Sequence, residues 1–159
     1  MSDCKRYPWF IWCATVGGLG LLPKAPGTWG SLSGIALGFA LAVSPWSYLL
    51  RVLLLLLFAL FAWWIILLAE AYWEHDDKRI VIDETIGQAL VLAWLPVTPV
   101  TVLLGFALFR LFDIWKPWLV GYFDRHWHSA LGTLLDDVIA GVFALVTLYL
   151  LQLTFSYLA

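Results

Sequence analysis

Residues 49–69 read LLRVLLLLLFALFAWWIILLA, an apolar run broken only by Arg51. About 20 apolar residues in helical form cross the hydrocarbon core of a bilayer. This stretch therefore fixes the solvent in which the rest of the chain folds. The composition agrees: 63% of residues are hydrophobic, 13% are charged and eleven are Trp, with a mean hydropathy of +0.89. Such values exclude a disordered chain and argue against an ordinary soluble domain. The length suits one domain, residues 1–159, and a net charge of −2 offers nothing to a nucleic acid. Cys4 and Cys13 form no CxxC and have no His cluster beside them, so no disulfide or metal role is expected of them. Lys5 and Arg6 precede Trp9-Phe10-Ile11-Trp12 and a glycine-rich stretch, which does not read as a cleavable signal. The membrane address is expected to come from the helices themselves.

Residues 134–157 form a second apolar span, and 100–115 a helix closing on Arg110, Asp113 and Trp115. Residues 29–44 begin with small residues that permit close helix packing in lipid. The segment 85–95 (TIGQALVLAWL) reaches only ~17 Å as a helix, which makes it a half-span or a short tilted helix. Pro96 and Pro99 stop it. The predicted fold is an all-α, polytopic membrane bundle of four to five embedded helices, with polar connectors at 70–84 and 116–133. Threaded alternately through a membrane, these helices put Lys5, Arg6, Lys24, Lys78, Arg79, Arg110, Lys116 and Arg125 on one side and Arg51 alone on the other. The crowded side is then cytoplasmic. The same threading delivers Thr28, Ser31, Asp83, Glu84, Arg110, Asp113, Lys116, Asp136 and Asp137 to one membrane face.

Acidic residues are expensive near hydrocarbon and persist there where they line a site. Asp83-Glu84 opens the third helix in VIDETIGQA, and Asp136-Asp137 stands at the predicted start of the last in TLLDDVIAG. A helix N-cap needs one acid at most, so the paired carboxylates exceed what capping requires. Crowded carboxylates in a weakly hydrated layer take up protons unless a cation neutralises them. An all-oxygen set suits Mg²⁺ or Mn²⁺ better than zinc, so Asp83, Glu84, Asp136 and Asp137 are the candidate metal ligands. Arg110, Asp113 and Lys116 follow at three-residue steps in FRLFDIWKPW. A terminal salt bridge of Asp113 with Arg110 or with Lys116 would explain them. Beside a metal site, the two cations would instead hold phosphate oxygens. Pro26-Gly27-Thr28-Trp29-Gly30-Ser31 could bring backbone N–H groups to an anion, although by itself the motif is better explained by helix capping and packing. His75, His126 and His128 read as interfacial residues of the connectors.

GLLPKAPGTWGSL (20–32), IVIDETIG (80–87), FRLFDIWKPW (109–118), FDR (123–125) and LLDDVIAG (134–141) resemble the bacterial phosphatidylglycerophosphatase A family, in the same order and with similar spacing. The one visible departure is Leu119-Val120 after KPW, where the family usually has Pro and Ile; it removes no charged group. The resemblance implies an Mg²⁺-dependent phosphatase of the bacterial inner membrane that converts phosphatidylglycerophosphate to phosphatidylglycerol. On that reading Asp113, Lys116 and Arg110 are catalytic, and Thr28, Ser31 and Arg125 contact substrate. The nucleophile is either an activated water or Asp113. The acyl chains are expected to stay in the bilayer beside a lateral groove in the first spans. A phosphatase for another lipid, such as phosphatidate, and a divalent-cation transporter are the rivals. A transporter would carry its acids near mid-membrane rather than at one face. The sequence leaves metal count and oligomeric state open.

Overall fold

The structure, a computed structural model, describes residues 7–117, 127 and 129–158, the last four of these as backbone alone. Every regular element among them is helical: α1 (Trp9–Ala14), a 3₁₀ turn (Leu19–Leu21), α2 (Pro26–Val43), α3 (Tyr48–Tyr72), α4 (Ile82–Leu92), α5 (Pro99–Trp115) and α6 (Ala130–Leu158). Local chemistry sets the starts. The Ser47 hydroxyl accepts from the Leu50 N–H and the Thr98 hydroxyl from the Thr101 N–H, each satisfying a donor that a helix terminus leaves unpaired. Pro26 and Pro99 occupy first-turn positions, where a missing N–H costs nothing. That is why α2 begins ahead of the expected residue 29.

Three helices, α2, α3 and α6, are long and apolar enough to cross a membrane. At ~1.5 Å per residue, α5 is ~25 Å long and α4 only ~17 Å, against a hydrocarbon core of ~30 Å. The short α4 is the hub, touching α2, α3, α5 and α6, with nine of its eleven residues buried. A helix carrying Asp83, Glu84, Thr85 and Gln88 is tolerable at that depth because its side chains face protein rather than lipid. Gly34 and Gly38 of α2 lie against the α4 backbone at Thr85 and Ala89, and Gly141 of α6 lies against Gly87. A Cβ at any of these would collide with the neighbouring backbone, so small residues let the helices approach as they do in lipid. Leu53, Leu56, Leu57 and Leu60 of α3 point outward, the inverse of a soluble helix.

Two features depart from the sequence reading. The segment around α1 was not foreseen as structure. It packs Ile11 and Ala14 against Ile65, Ile66 and Ile86, and the Ala14 carbonyl accepts the Val81 N–H at 2.9 Å. The N-terminal segment thereby buttresses the approach to α4. The last helix begins at Ala130, so Asp136-Asp137 lies in its second turn and not at its start. Capping plays no part in holding those two acids there.

At the end of the bundle away from these acids, Arg51 donates to the carbonyls of Ala93 at 3.0 Å and Ser44 at 2.9 Å. Its guanidinium also sits 5.5 Å from the Tyr48 ring centroid. One cation thus ties α3 to the ends of α2 and α4.

Candidate active site

The opposite end opens into a cavity of about 320 Å³. Four segments build it. The start of α2 contributes Gly27, and the loop before α4 contributes Asp76 and Lys78. The first turn of α4 supplies Asp83 and Glu84. The end of α5 brings Arg110, Asp113 and Lys116, and the second turn of α6 brings Asp136 and Asp137. Three wall residues, Ala25, Asp76 and Lys116, have left-handed backbones with φ of 48–54°. Such conformations are uncommon outside glycine and concentrate at functional sites. At Lys116 this turn closes α5, whose last N–H donates to the Phe112 carbonyl, and swings the ammonium toward α6.

The charges divide into two sets. Asp83, Glu84 and Asp137 present carboxylate oxygens that all lie within 4.8 Å of one another. The Asp83 carboxylate accepts the Glu84 N–H at 2.9 Å, and that of Asp136 accepts the Asp137 N–H at 3.0 Å, which ties one oxygen of each to its own helix. Across the cavity, Arg110 Nη1 donates to Asp113 at 2.5 Å and lies 3.7 Å from Glu84. Lys116 Nζ donates to Asp136 at 2.8 Å. Two cations therefore stand beside a cluster of three carboxylates, and Arg110 reaches toward one of them.

This arrangement is costly as it stands. Asp83 is buried with the Glu84 carboxylate beside it. Taking a carboxylate out of water penalises its charged form. Glu84 Oε2 is buried with no hydrogen-bond partner, and so are both polar atoms of Gln88, one turn further along α4. Buried acceptors are rarely left in this state. An all-oxygen set with an orphaned carboxylate oxygen fits a hard divalent cation such as Mg²⁺. Gly27 and Gly30 leave room for the Glu84 carboxylate: a Cβ on Gly27 would strike Oε1, and one on Gly30 would strike Val81 and crowd Oε2.

The structure brings Asp83, Glu84, Arg110, Asp113, Lys116, Asp136 and Asp137 to one cavity. Asp136 stands apart from the three-carboxylate cluster, engaged with Lys116. Thr28 and Ser31 are not in the wall. Ser31 is fully buried behind Arg110, with its hydroxyl 3.4 Å from Nη1 and donating to the Gly27 carbonyl. Thr28 is half-buried in the first turn of α2. Arg125 lies outside the described residues, as does the Leu119-Val120 departure. Sequence reasoning passed over Asp76 and Lys78, which sit in the charged run EHDDKR and look there like a solvated loop. It also passed over Thr133, whose hydroxyl donates to Glu70 at 2.9 Å beside the cavity.

Residues 12–152 match the family model described as Phosphatidylglycerophosphatase A. The chain is 36% identical to phosphatidylglycerophosphatase A of Escherichia coli (strain K12) over 143 residues, covering 89% of this chain and 82% of that one. It is 37% identical to the Haemophilus influenzae protein of the same name, over 85% of this chain and 83% of the relative. A Bacteroides thetaiotaomicron protein provisionally named a phosphatidylinositol-3-phosphatase is 34% identical over 81% of this chain and 84% of its own. No solved structure gives a significant match. With a match along nearly its whole length, the chain belongs to the phosphatidylglycerophosphatase A family and is an enzyme of the phosphatase class.

Proposed function

We propose that the protein removes the terminal phosphate of phosphatidylglycerophosphate, yielding phosphatidylglycerol and inorganic phosphate, with Mg²⁺ as cofactor. The observation that carries this reading is the cluster of Asp83, Glu84 and Asp137 within 4.8 Å, facing Arg110 and Lys116 across one cavity. Asp83, Glu84 and Asp137 would hold the ion, with Asp136 within the same wall. When bound, Mg²⁺ supplies positive charge to the phosphoryl oxygens as the P–O bond lengthens. Arg110 and Lys116 add two cationic donors on the opposite side, suited to the outer phosphate oxygens. Asp113 is held in place by Arg110 and is the candidate base or nucleophile. Ser31 steadies Arg110 from behind rather than meeting substrate.

The test is phosphate release from phosphatidylglycerophosphate by the purified, detergent-solubilised protein, with EDTA and with Mg²⁺ restored. Turnover that EDTA abolishes and Mg²⁺ restores is expected. Undiminished turnover in EDTA would overturn the metal assignment, and no release under any condition would overturn the reaction. A second reading, in which another phosphorylated lipid is preferred, draws on the name of the Bacteroides relative. Comparing kcat/KM for phosphatidylglycerophosphate, phosphatidate and phosphatidylinositol 3-phosphate separates the two.

The site is proposed to face the cytoplasm of a bacterial inner membrane, because the chain's lysines and arginines other than Arg51 crowd that side. A cysteine replacing His75 should be labelled by an impermeant reagent only from the cytoplasm, and one replacing Val97 only from the other side. The reverse pattern would invert the orientation.

A further inference from the structure

Lys116 belongs to two surfaces at once. Its ammonium lines the polar cavity, and the residue also caps an apolar groove of about 700 Å³ between α5 and α6. Phe112 and Phe143 meet edge-to-face across that groove, with ring centroids 5.9 Å apart, and Trp115, Val142 and Val146 are exposed along it. A second apolar groove of about 320 Å³ continues past Tyr149 and Leu150 toward Trp94. The two share Val146. From Val142 to Leu150 the joint track follows α6 for ~12 Å, at ~1.5 Å per residue. It descends from the charged end of the bundle toward the end that holds Arg51.

A lysine at such a junction lays its aliphatic stem on the apolar wall and keeps its charge in the polar layer. That is the division of a phospholipid at its glycerol backbone: anionic group above, hydrocarbon below. The lipid-facing leucines of α3 form no such junction with the polar cavity. We propose that the groove between α5 and α6 seats an acyl chain of the phosphorylated lipid substrate, making these two helices the lateral entrance to the site. The inference rests on the reading of the protein as a lipid phosphatase. It moves the entrance away from the first spans, where the sequence had suggested it.

The probe is a phosphatidylglycerophosphate analogue with a mid-chain diazirine and a methylene in place of its hydrolysable terminal ester oxygen. It is mixed with wild-type protein and Mg²⁺ in phosphatidylcholine vesicles and irradiated. Cross-links mapped by mass spectrometry should favour Val142, Phe143 and Val146 over Leu57 and Leu60 of α3, and unlabelled phosphatidylglycerophosphate should remove the preference. Equal labelling of all these positions means ordinary surrounding lipid and overturns the proposal. As a second measurement, Val146→Trp should lower the kcat/KM ratio of long-chain over dihexanoyl substrate by roughly tenfold, the scale of a lost hydrophobic subsite contact. Leu57→Trp should leave that ratio alone, and an unchanged ratio in Val146→Trp would count against the groove. If the wild-type protein released no phosphate, the functional reading would fall, while the cross-link pattern would still report separately on the groove.

Discussion

At one end of the bundle Arg51 gives its guanidinium to the carbonyls of Ala93 and Ser44, three helices being joined by a single charge. At the other end Asp83, Glu84 and Asp137 crowd within 4.8 Å of one another, and Glu84 Oε2 has no partner. Arg51 meets neutral dipoles through both Nη atoms, leaving only its buried Nε without a partner, and presses no like charge upon another. The acids are arranged in the way that folding alone would avoid, since like charges crowded together out of water oppose the compact state. On the proposed function, the contrast separates a charge that serves packing from charges that serve a ligand.

That contrast makes opposite demands on variants at the two ends. Asp83→Asn and Asp137→Asn should each lower kcat on the order of 10²–10³-fold, the usual scale for removing a group that stabilises transition-state charge. Their melting temperatures should stay level or rise, because a neutral amide relieves repulsion. A variant with wild-type kcat, or one that fails to fold, would put these acids in the same class as Arg51. Arg51→Met should do the reverse, costing about 1.5–3 kcal/mol of stability for hydrogen bonds from a charged donor while the folded fraction turns over normally. Thermal melting beside initial rates would decide this pair.

Lys116 lies between the two cases, because it is paired with Asp136 and yet faces the cavity. Lys116→Ala should cost only ~0–1 kcal/mol of stability, as partly exposed ion pairs do, yet slow turnover clearly. Lys116→Arg should restore part of the rate, a planar fork replacing a compact ammonium. Normal kinetics in Lys116→Ala would make it a structural charge after all. The smallest effect is expected outside the bundle, where Arg79 hydrogen-bonds to Asp77 and holds its carboxyl below the usual 3.8. That contribution is fully present above the ordinary value and is lost as pH falls through the lowered one. Asp77→Ala should therefore cost no more than ~1 kcal/mol at neutral pH and nothing in strong acid. Urea melts at the two pH values would measure the difference.

Much of this was legible in the chain because membranes simplify the reading. The leucine run marked α3, VIDE marked the start of α4, and the Arg110–Asp113 pair at three-residue spacing was one of the two partnerships the sequence allowed. The Lys116–Asp136 pair was not legible, since it joins residues on different helices through a left-handed turn that no residue type announces. Asp76 was hidden because a charged loop normally faces water. Gln88 gave no signal either: an amide within TIGQALVLAWL reads as a neutral interruption, and only the packing shows both its polar atoms sealed away. The α1 segment is short and aromatic, and its burial depends on a contact with Val81 some sixty-odd residues distant.

Gly27 and Gly30 face the Glu84 carboxylate, and Gly34 and Gly38, on the same side of α2, face the backbone of α4. The depth at which the acids sit is thus gauged by a helix that donates no chemistry to them. Any side chain gained along that edge would lever α4 outward and carry Asp83 and Glu84 with it, leaving every reacting group intact but out of register. Damage to α2 would then present at the bench as a catalytic defect, with its origin in a helix that brings no charged side chain to the cavity.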